Sequence, residues 1–280
     1  MKILILTITL GIFATTCFAE LTKSQSELSK LELVKDRVTY LGNEAIMVRA
    51  GENKVLFDPF FHNVFSTYQL VPTKIVDALM SATAPYDNID LIFISHAHGD
   101  HFSAGDLLSF LQKHKNSELV APGQAVAQLA ELDGFKQIKD QITSIELEYQ
   151  DPPTSLSAGG IEFDVVRIPH AGWPQRAEVA NLVYRVELAK GATIIHMGDA
   201  DPNDSHFKPL ITHWQSKHTD AAFPPYWFLS NASGQMILSE RIQADENIGI
   251  HVPVAVPRGL RRSGAKYFSN PGEVYNFPPE

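Results

Sequence analysis

Leu91-Ile92-Phe93-Ile94-Ser95-His96-Ala97-His98-Gly99-Asp100-His101 is the stretch on which the fold turns. Its four apolar residues read as a fully buried strand. Three of the chain's 11 histidines and one carboxylate follow at once, between His96 and His101. Ser103 then starts a helix, with Asp106 in the capping-box position and Leu107, Leu108 and Leu111 on the inner face. Imidazole and carboxylate are the ligands that Zn²⁺ and similar divalent ions take in open sites that leave room for water. Loops at strand ends are where scaffolds place reactive groups. A polar loop with chance histidines is the bland alternative, and the density of histidines argues against it.

Outward from this loop, the segments alternate between strand and helix texture. Upstream, Val38–Leu41, Ala45–Val48 and Val55–Phe57 are short β-rich runs separated by Gly42-Asn43 and Gly51-Glu52-Asn53, and Lys74–Ala82 reads as a helix. Downstream, strands are expected at Glu118–Ala121, Ile161–Ile168, Asn181–Leu188, Ala192–His196, Ala221–Phe223 and Ile248–His251. The pair around Ala189-Lys190-Gly191 forms a hairpin. Helices are expected at Gln124–Leu132 and around Phe207–Trp214 and Gly234–Ile242. This alternation in both halves predicts an α/β sandwich of four layers, αββα, with two sheets face to face and helices outside.

A metal site needs further ligands, and three residues stand just past apolar strands: His170 in Ile168-Pro169-His170, Asp199 in Met197-Gly198-Asp199, and His251 after Ile248-Gly249-Ile250. One edge of the sandwich can gather all of them. Singly, each reads as readily as a surface or capping residue.

His96-Ala97-His98-Gly99-Asp100-His101 resembles the His-x-His-x-Asp-His signature of the metallo-β-lactamase superfamily, and the later His, Gly-Asp and His follow in that family's order. Phe57-Asp58-Pro59 is similar to its strand-then-Asp-Pro element. The resemblance runs from about Arg37 to His251, and His196–Asp201 with Pro224–Trp227 look like the ascorbate-6-phosphate lactonase-like and N-acyl-phosphatidylethanolamine phospholipase-like branch. It implies the metallo-β-lactamase fold and two divalent ions, zinc first, with manganese or iron as alternatives. His96, His98 and His170 would hold one ion, Asp100, His101 and His251 the other, and Asp199 would bridge them. A metal-bridging hydroxide would then attack an ester, lactone, amide or phosphodiester, with Asp100 also orienting the attacking water. Asp58 would fix the tautomer of a ligand histidine from behind, or simply form the turn before Pro59.

Residues 1–19 have a different texture: Lys2, an apolar run from Ile3 to Phe13, then small residues ending at Ala19. This pattern predicts a signal peptide cleaved after Ala19, a periplasmic or secreted protein, and one hydrolase domain over residues 20–280. The apolar run is shorter than the roughly 20 residues of a membrane span, and no later run is longer, so no stable membrane anchor is expected. Cleavage would remove the single cysteine and one lysine, leaving a net charge of about −10. That acidity disfavours nucleic acid, which needs a basic stripe, and leaves a small molecule as the expected substrate.

Weaker candidates stay open at this level. The loop 59–72, with His62, could cover the site. Tyr226 and Trp227 could line a cleft, and Arg258, Arg261 and Arg262 could dock an anion or form a solvated face. His196 reads as a hydrogen-bonded core histidine, and His206, His213 and His218 as solvated. The competing function is a non-catalytic or redox metal-binding protein on the same scaffold.

Overall fold

The computed structural model describes residues 36–277. The signal peptide expected at residues 1–19, and the arm or short helix expected at residues 20–35, lie outside the described residues. Among the described residues, fourteen strands form two seven-stranded sheets. The first contains β1 (Asp36–Gly42), β2 (Ala45–Ala50), β3 (Asn53–Phe57), β4 (Leu91–Phe93), β5 (Glu118–Pro122), β6 (Ile142–Ile145) and β14 (Val274–Phe277), ordered β14-β1-β2-β3-β4-β5-β6. The second contains β7 (Thr154–Ala158), β8 (Ile161–Arg167), β9 (Leu182–Glu187), β10 (Thr193–His196), β11 (Ala221–Phe223), β12 (Glu246–Gly249) and β13 (Lys266–Tyr267), ordered β13-β12-β11-β10-β9-β8-β7.

Each sheet changes character partway across. β14 through β3 pair antiparallel, and β3 through β6 run parallel. In the second sheet β7 through β10 are antiparallel and β10 through β13 parallel. Residues leaving β3, β4, β10 and β12 therefore emerge from parallel strands, where open α/β sheets place their ligands.

Side-chain alternation builds the layers. In β4, Leu91 and Phe93 enter the core between the sheets, where Phe57, Phe163, Tyr184 and Phe223 meet them. Ile92 and Ile94 point the other way, against the helices Thr73–Met80, Ala104–Lys113 and Gly123–Ala130. The second sheet repeats the scheme, with Val166, Ile195 and Met197 facing Phe207, Trp214, Phe228 and Ile237 on its own helices. Three apolar layers between four structural ones make the αββα sandwich. Ser103 caps its helix by accepting from the Asp106 amide, 3.4 Å away. The helix expected around Phe207–Trp214 is instead three short turns, Asp204–Phe207, Lys208–Leu210 and Ile211–Trp214. Pro209, which has no N–H to donate, sits at the break. Among the described residues no helix is long and apolar enough to cross a membrane.

Candidate metal centre

The loop after β4 brings His96, His98, Asp100 and His101 to one end of the sandwich. The segments after β8, β10 and β12 bring His170, Asp199 and His251 to the same place. Six of the seven fall in two groups whose ligand atoms are within 4.8 Å of one another, His96, His98 and His170 in one and Asp100, His101 and His251 in the other.

Asp199 stands between the groups and turns one oxygen to each. Its Oδ2 is 3.1 Å from His170 Nε2 and 4.0 Å from His96 Nε2. Its Oδ1 is 3.2 Å from His251 Nε2 and 3.5 Å from His101 Nε2. Asp100 Oδ2 completes the second group, 3.6 Å from His251 Nε2 and 3.7 Å from His101 Nε2. In the first, His96 Nε2 and His98 Nδ1 are 3.1 Å apart.

This donor set fits a divalent ion at each position. A tetrahedral ion with bonds of about 2.0–2.1 Å spaces its ligand atoms about 3.3–3.4 Å apart, close to the separations around Asp199. His101 Nε2, His170 Nε2, His251 Nε2 and Asp199 Oδ1 are buried and, beyond these close approaches to one another, make no well-directed hydrogen bond among the described residues. Buried polar atoms are rarely left unpaired, so a convergent set of them fits the coordination of a cation.

Neighbouring groups hold these side chains in place. Asp58, left-handed at φ 45°, accepts from the Ser95 amide at 2.7 Å and from Ser95 Oγ. Its Oδ2 lies 2.9 Å from His101 Nδ1, which leaves Nε2 to face the centre. His170 Nδ1 donates to Ala171 O at 2.8 Å and so also presents Nε2. Asn181, fully buried, donates to the carbonyls of Ile168 and Met197 and accepts from the Asp199 amide at 2.9 Å, tying two ligand loops together. Asp201 accepts from the amides of Gly172 and Trp173 and holds the loop after His170.

Burial, followed by the charge of His101, keeps His96 well below the ordinary imidazole range, and burial followed by His170 lowers His98. Both are thus held in the neutral, metal-ligating form. Burial would raise Asp199, but the charges of His251 and His101 outweigh it and keep the carboxylate ionised.

A cleft of about 430 Å³ opens onto the centre. Phe65, Tyr68 and Trp227 form its apolar wall, and Arg176 and Glu178 stand among its polar lining. The Tyr68 ring lies edge-on to His251 at 4.0 Å, and burial, then the Asp199 charge, raises its phenol so that it stays protonated. Arg176 Nη1 is 3.4 Å from His170 Nδ1, and Arg176 lines the cleft beside it.

The weaker candidates separate cleanly. The loop 59–72 reaches the cleft through Phe65 and Tyr68, whereas His62 is exposed and pairs with Asp106 at 2.7 Å. Trp227 lines the cleft and donates to Ala200 O; Tyr226 packs in the outer core. Arg258, Arg261 and Arg262 lie exposed on a short helix and do not line the cleft. His196 is a core histidine, stacked on Phe57 and bonded to Glu44 O at 3.1 Å. His206, expected to be solvated, is buried against Tyr149, and His213 is half-buried against Arg185; His218 is exposed. Glu44 and Arg176 carry no signal in the sequence; Asn181 is a polar residue opening an apolar strand, and Tyr68 lies in the loop 59–72 that was expected to reach the site.

Two facing mixed sheets, outer helices and a His/Asp centre at the ends of parallel strands define the metallo-β-lactamase fold. Residues 37–213 match the β-lactamase superfamily domain, and the chain belongs to that family. It is 28% identical over 165 residues to a UPF0173 metal-dependent hydrolase of Pyrococcus furiosus, covering 58% of this chain and 61% of that protein. The aligned stretch thus spans less than two thirds of that relative. Over 224 residues it is 25% identical to a UPF0173 metal-dependent hydrolase of Bacillus licheniformis, covering 77% of this chain and 84% of the relative. Igni18, a metallo hydrolase of Ignicoccus hospitalis, superposes with a TM-score of 0.58 at 17% identity, over 88% of this chain and 100% of its own.

Proposed function

We propose that this metal-dependent hydrolase of the metallo-β-lactamase superfamily holds two divalent ions, zinc foremost, and cleaves an ester, lactone, amide or phosphodiester bond of a small molecule after export. The observation that carries the two-ion reading is Asp199, whose Oδ1 and Oδ2 face separate histidine groups at 3.2 and 3.1 Å. His96, His98 and His170 would hold one ion and Asp100, His101 and His251 the other, with Asp199 between them. Bound there, divalent ions supply Lewis acidity toward the scissile group and make water nucleophilic near neutral pH.

The chain's own residues do the rest. Asp100 lines the cleft as well as the centre, so its carboxylate can accept a proton from the attacking water and orient it. Tyr68 offers a protonated phenol to an oxygen of the substrate, and with Phe65 and Trp227 excludes solvent from the reacting group. Arg176 positions an anionic group beside His170. The export reading rests on the apolar run of residues 3–13 and the small residues before Glu20.

The test is metal analysis of the purified full chain, with a screen of ester, lactone, amide and phosphodiester substrates on metal-loaded protein. His98→Ala serves as the control. Two equivalents of divalent metal and activity that His98→Ala abolishes are expected. Fewer than two equivalents, or activity indifferent to alanine at both Asp100 and Asp199, overturns the reading.

A further inference from the structure

Glu44 occupies the tight turn between β1 and β2, where a glutamate is ordinarily solvated. Here it is 0% exposed, and neither carboxylate oxygen has a hydrogen-bond partner among the described residues. An ionised carboxylate in a dry interior is not tolerated without a partner. A protonated one would need an acceptor, and it has none.

The turn is built to hold it there. Gly42, at φ 148°, packs so closely on the Leu70 backbone that a Cβ would lie 2.8 Å from Leu70 O. Asn43, left-handed at φ 43°, donates from Nδ2 to Asp100 O at 2.9 Å, and its carbonyl accepts from the His251 amide at 2.9 Å. The residue before Glu44 is thereby stapled to two residues of the centre. The nearest ring nitrogens to Glu44 Oε2 are His196 Nε2 at 3.8 Å and His101 Nδ1 at 3.9 Å. Both are already engaged, His196 Nε2 with the Glu44 carbonyl and His101 Nδ1 with Asp58. Glu44, Asp199 and His251 bring ligand atoms within 4.8 Å of one another. A cation on the side of the centre where His251 stands would give Glu44 a partner.

We infer that Glu44 is a further carboxylate of the metal centre, an oxygen donor to the ion held by Asp100, His101 and His251, which raises that position's affinity for oxophilic ions such as Mn²⁺ relative to Zn²⁺. The inference rests on the two-ion reading above. It makes the two positions chemically unequal. One has three imidazoles and the shared Asp199. The other has two imidazoles and three carboxylates. Carboxylate favours Mn²⁺ and similar ions, and imidazole suits Zn²⁺.

The test uses the full chain, stripped with a chelator and titrated separately with Mn²⁺ and Zn²⁺, for wild type and Glu44→Gln. Stoichiometry is followed by mass spectrometry, and Mn²⁺ by electron paramagnetic resonance. The expected result is that Glu44→Gln lowers Mn²⁺ affinity at one of the two positions at least tenfold, and Zn²⁺ affinity much less. Unchanged affinities, or an equal loss for both metals, overturn the inference while the two-ion reading stands. A wild type that binds two Zn²⁺ but fewer than two Mn²⁺ overturns it as well, without recourse to the variant. A wild type that binds fewer than two ions of either metal refutes the two-ion reading itself.

Discussion

Asp58 Oδ2 lies 2.9 Å from His101 Nδ1, and both side chains are fully buried. The contact orients the imidazole so that Nε2 faces Asp199 and Asp100. A carboxylate behind a ligand histidine fixes its tautomer and strengthens it as a donor. Asp58→Asn keeps an acceptor for the Ser95 amide and removes the charge facing His101. Metal affinity at that position should fall about 10–100-fold, with the far-ultraviolet circular dichroism unchanged. Competition with a chromophoric chelator measures it.

The two halves of the centre should empty separately. His98→Ala and His251→Ala should each cost one equivalent of metal, because each removes a donor from one group alone. Asp199→Ala should weaken both positions, since Oδ1 and Oδ2 serve different groups. Elemental analysis after dialysis distinguishes the three patterns.

Gly198 precedes Asp199 at φ 52°, and an added Cβ would stand 2.4 Å from Asn181 Oδ1 and 2.7 Å from Ser95 Cβ. Gly198→Ala should therefore cost more than the roughly 1–3 kcal/mol of a strained left-handed residue and should also lower metal affinity by moving Asp199. Gly160→Ala, at φ 72° with nothing within 4 Å of the new atom, should show the backbone strain alone. Denaturant unfolding of the two variants separates strain from collision.

His213 carries a pH dependence remote from the centre. Burial, then the adjacent Arg185, depresses its imidazole from 6.5 to about 4, and Arg185 Nη2 sits 3.2 Å from its Nδ1. The unfolded chain binds this proton more readily, so its contribution is complete above pH 6.5 and is lost as pH falls toward about 4. His213→Asn, which keeps an acceptor for Arg185 but cannot titrate, should flatten this part of the profile. Melting temperature measured between those pH values tests it.

Arg176→Ala should raise KM about tenfold for a substrate with an anionic group, the scale of one charge-assisted hydrogen bond. It should leave kcat and KM for neutral substrates nearly unchanged. A paired set of charged and uncharged esters reads the difference.

The strands absent from the sequence reading are β6, β7, β13 and β14, and these are the four edges of the two sheets. Central strands such as β4 are buried on both faces and therefore written in apolar residues. Edge strands such as β6 (Ile-Thr-Ser-Ile) and β7 (Thr-Ser-Leu-Ser-Ala) are half exposed and polar, and only pairing with a neighbour makes them strands. The site divides in a similar way. His96, His98, Asp100 and His101 share one loop, and their density is visible in the chain itself. His170, Asp199 and His251 were legible through their common position after an apolar strand and through the family order. Tyr68 was legible only as part of the loop 59–72, and Arg176 was hidden because it comes from a loop whose approach to the centre no local pattern records.

By itself the sequence determined the layered architecture, because strands that are apolar on both faces must be covered by a second sheet on one side and by helices on the other. It also determined the ligand chemistry, because imidazoles at such density have few other uses. Tertiary structure alone decided that Asp199 turns one oxygen to each histidine group, that Asp58 backs His101, and that Glu44 is sealed beside them. These are relations between residues far apart in the chain, and their distances depend on how two sheets pack, which no single segment encodes.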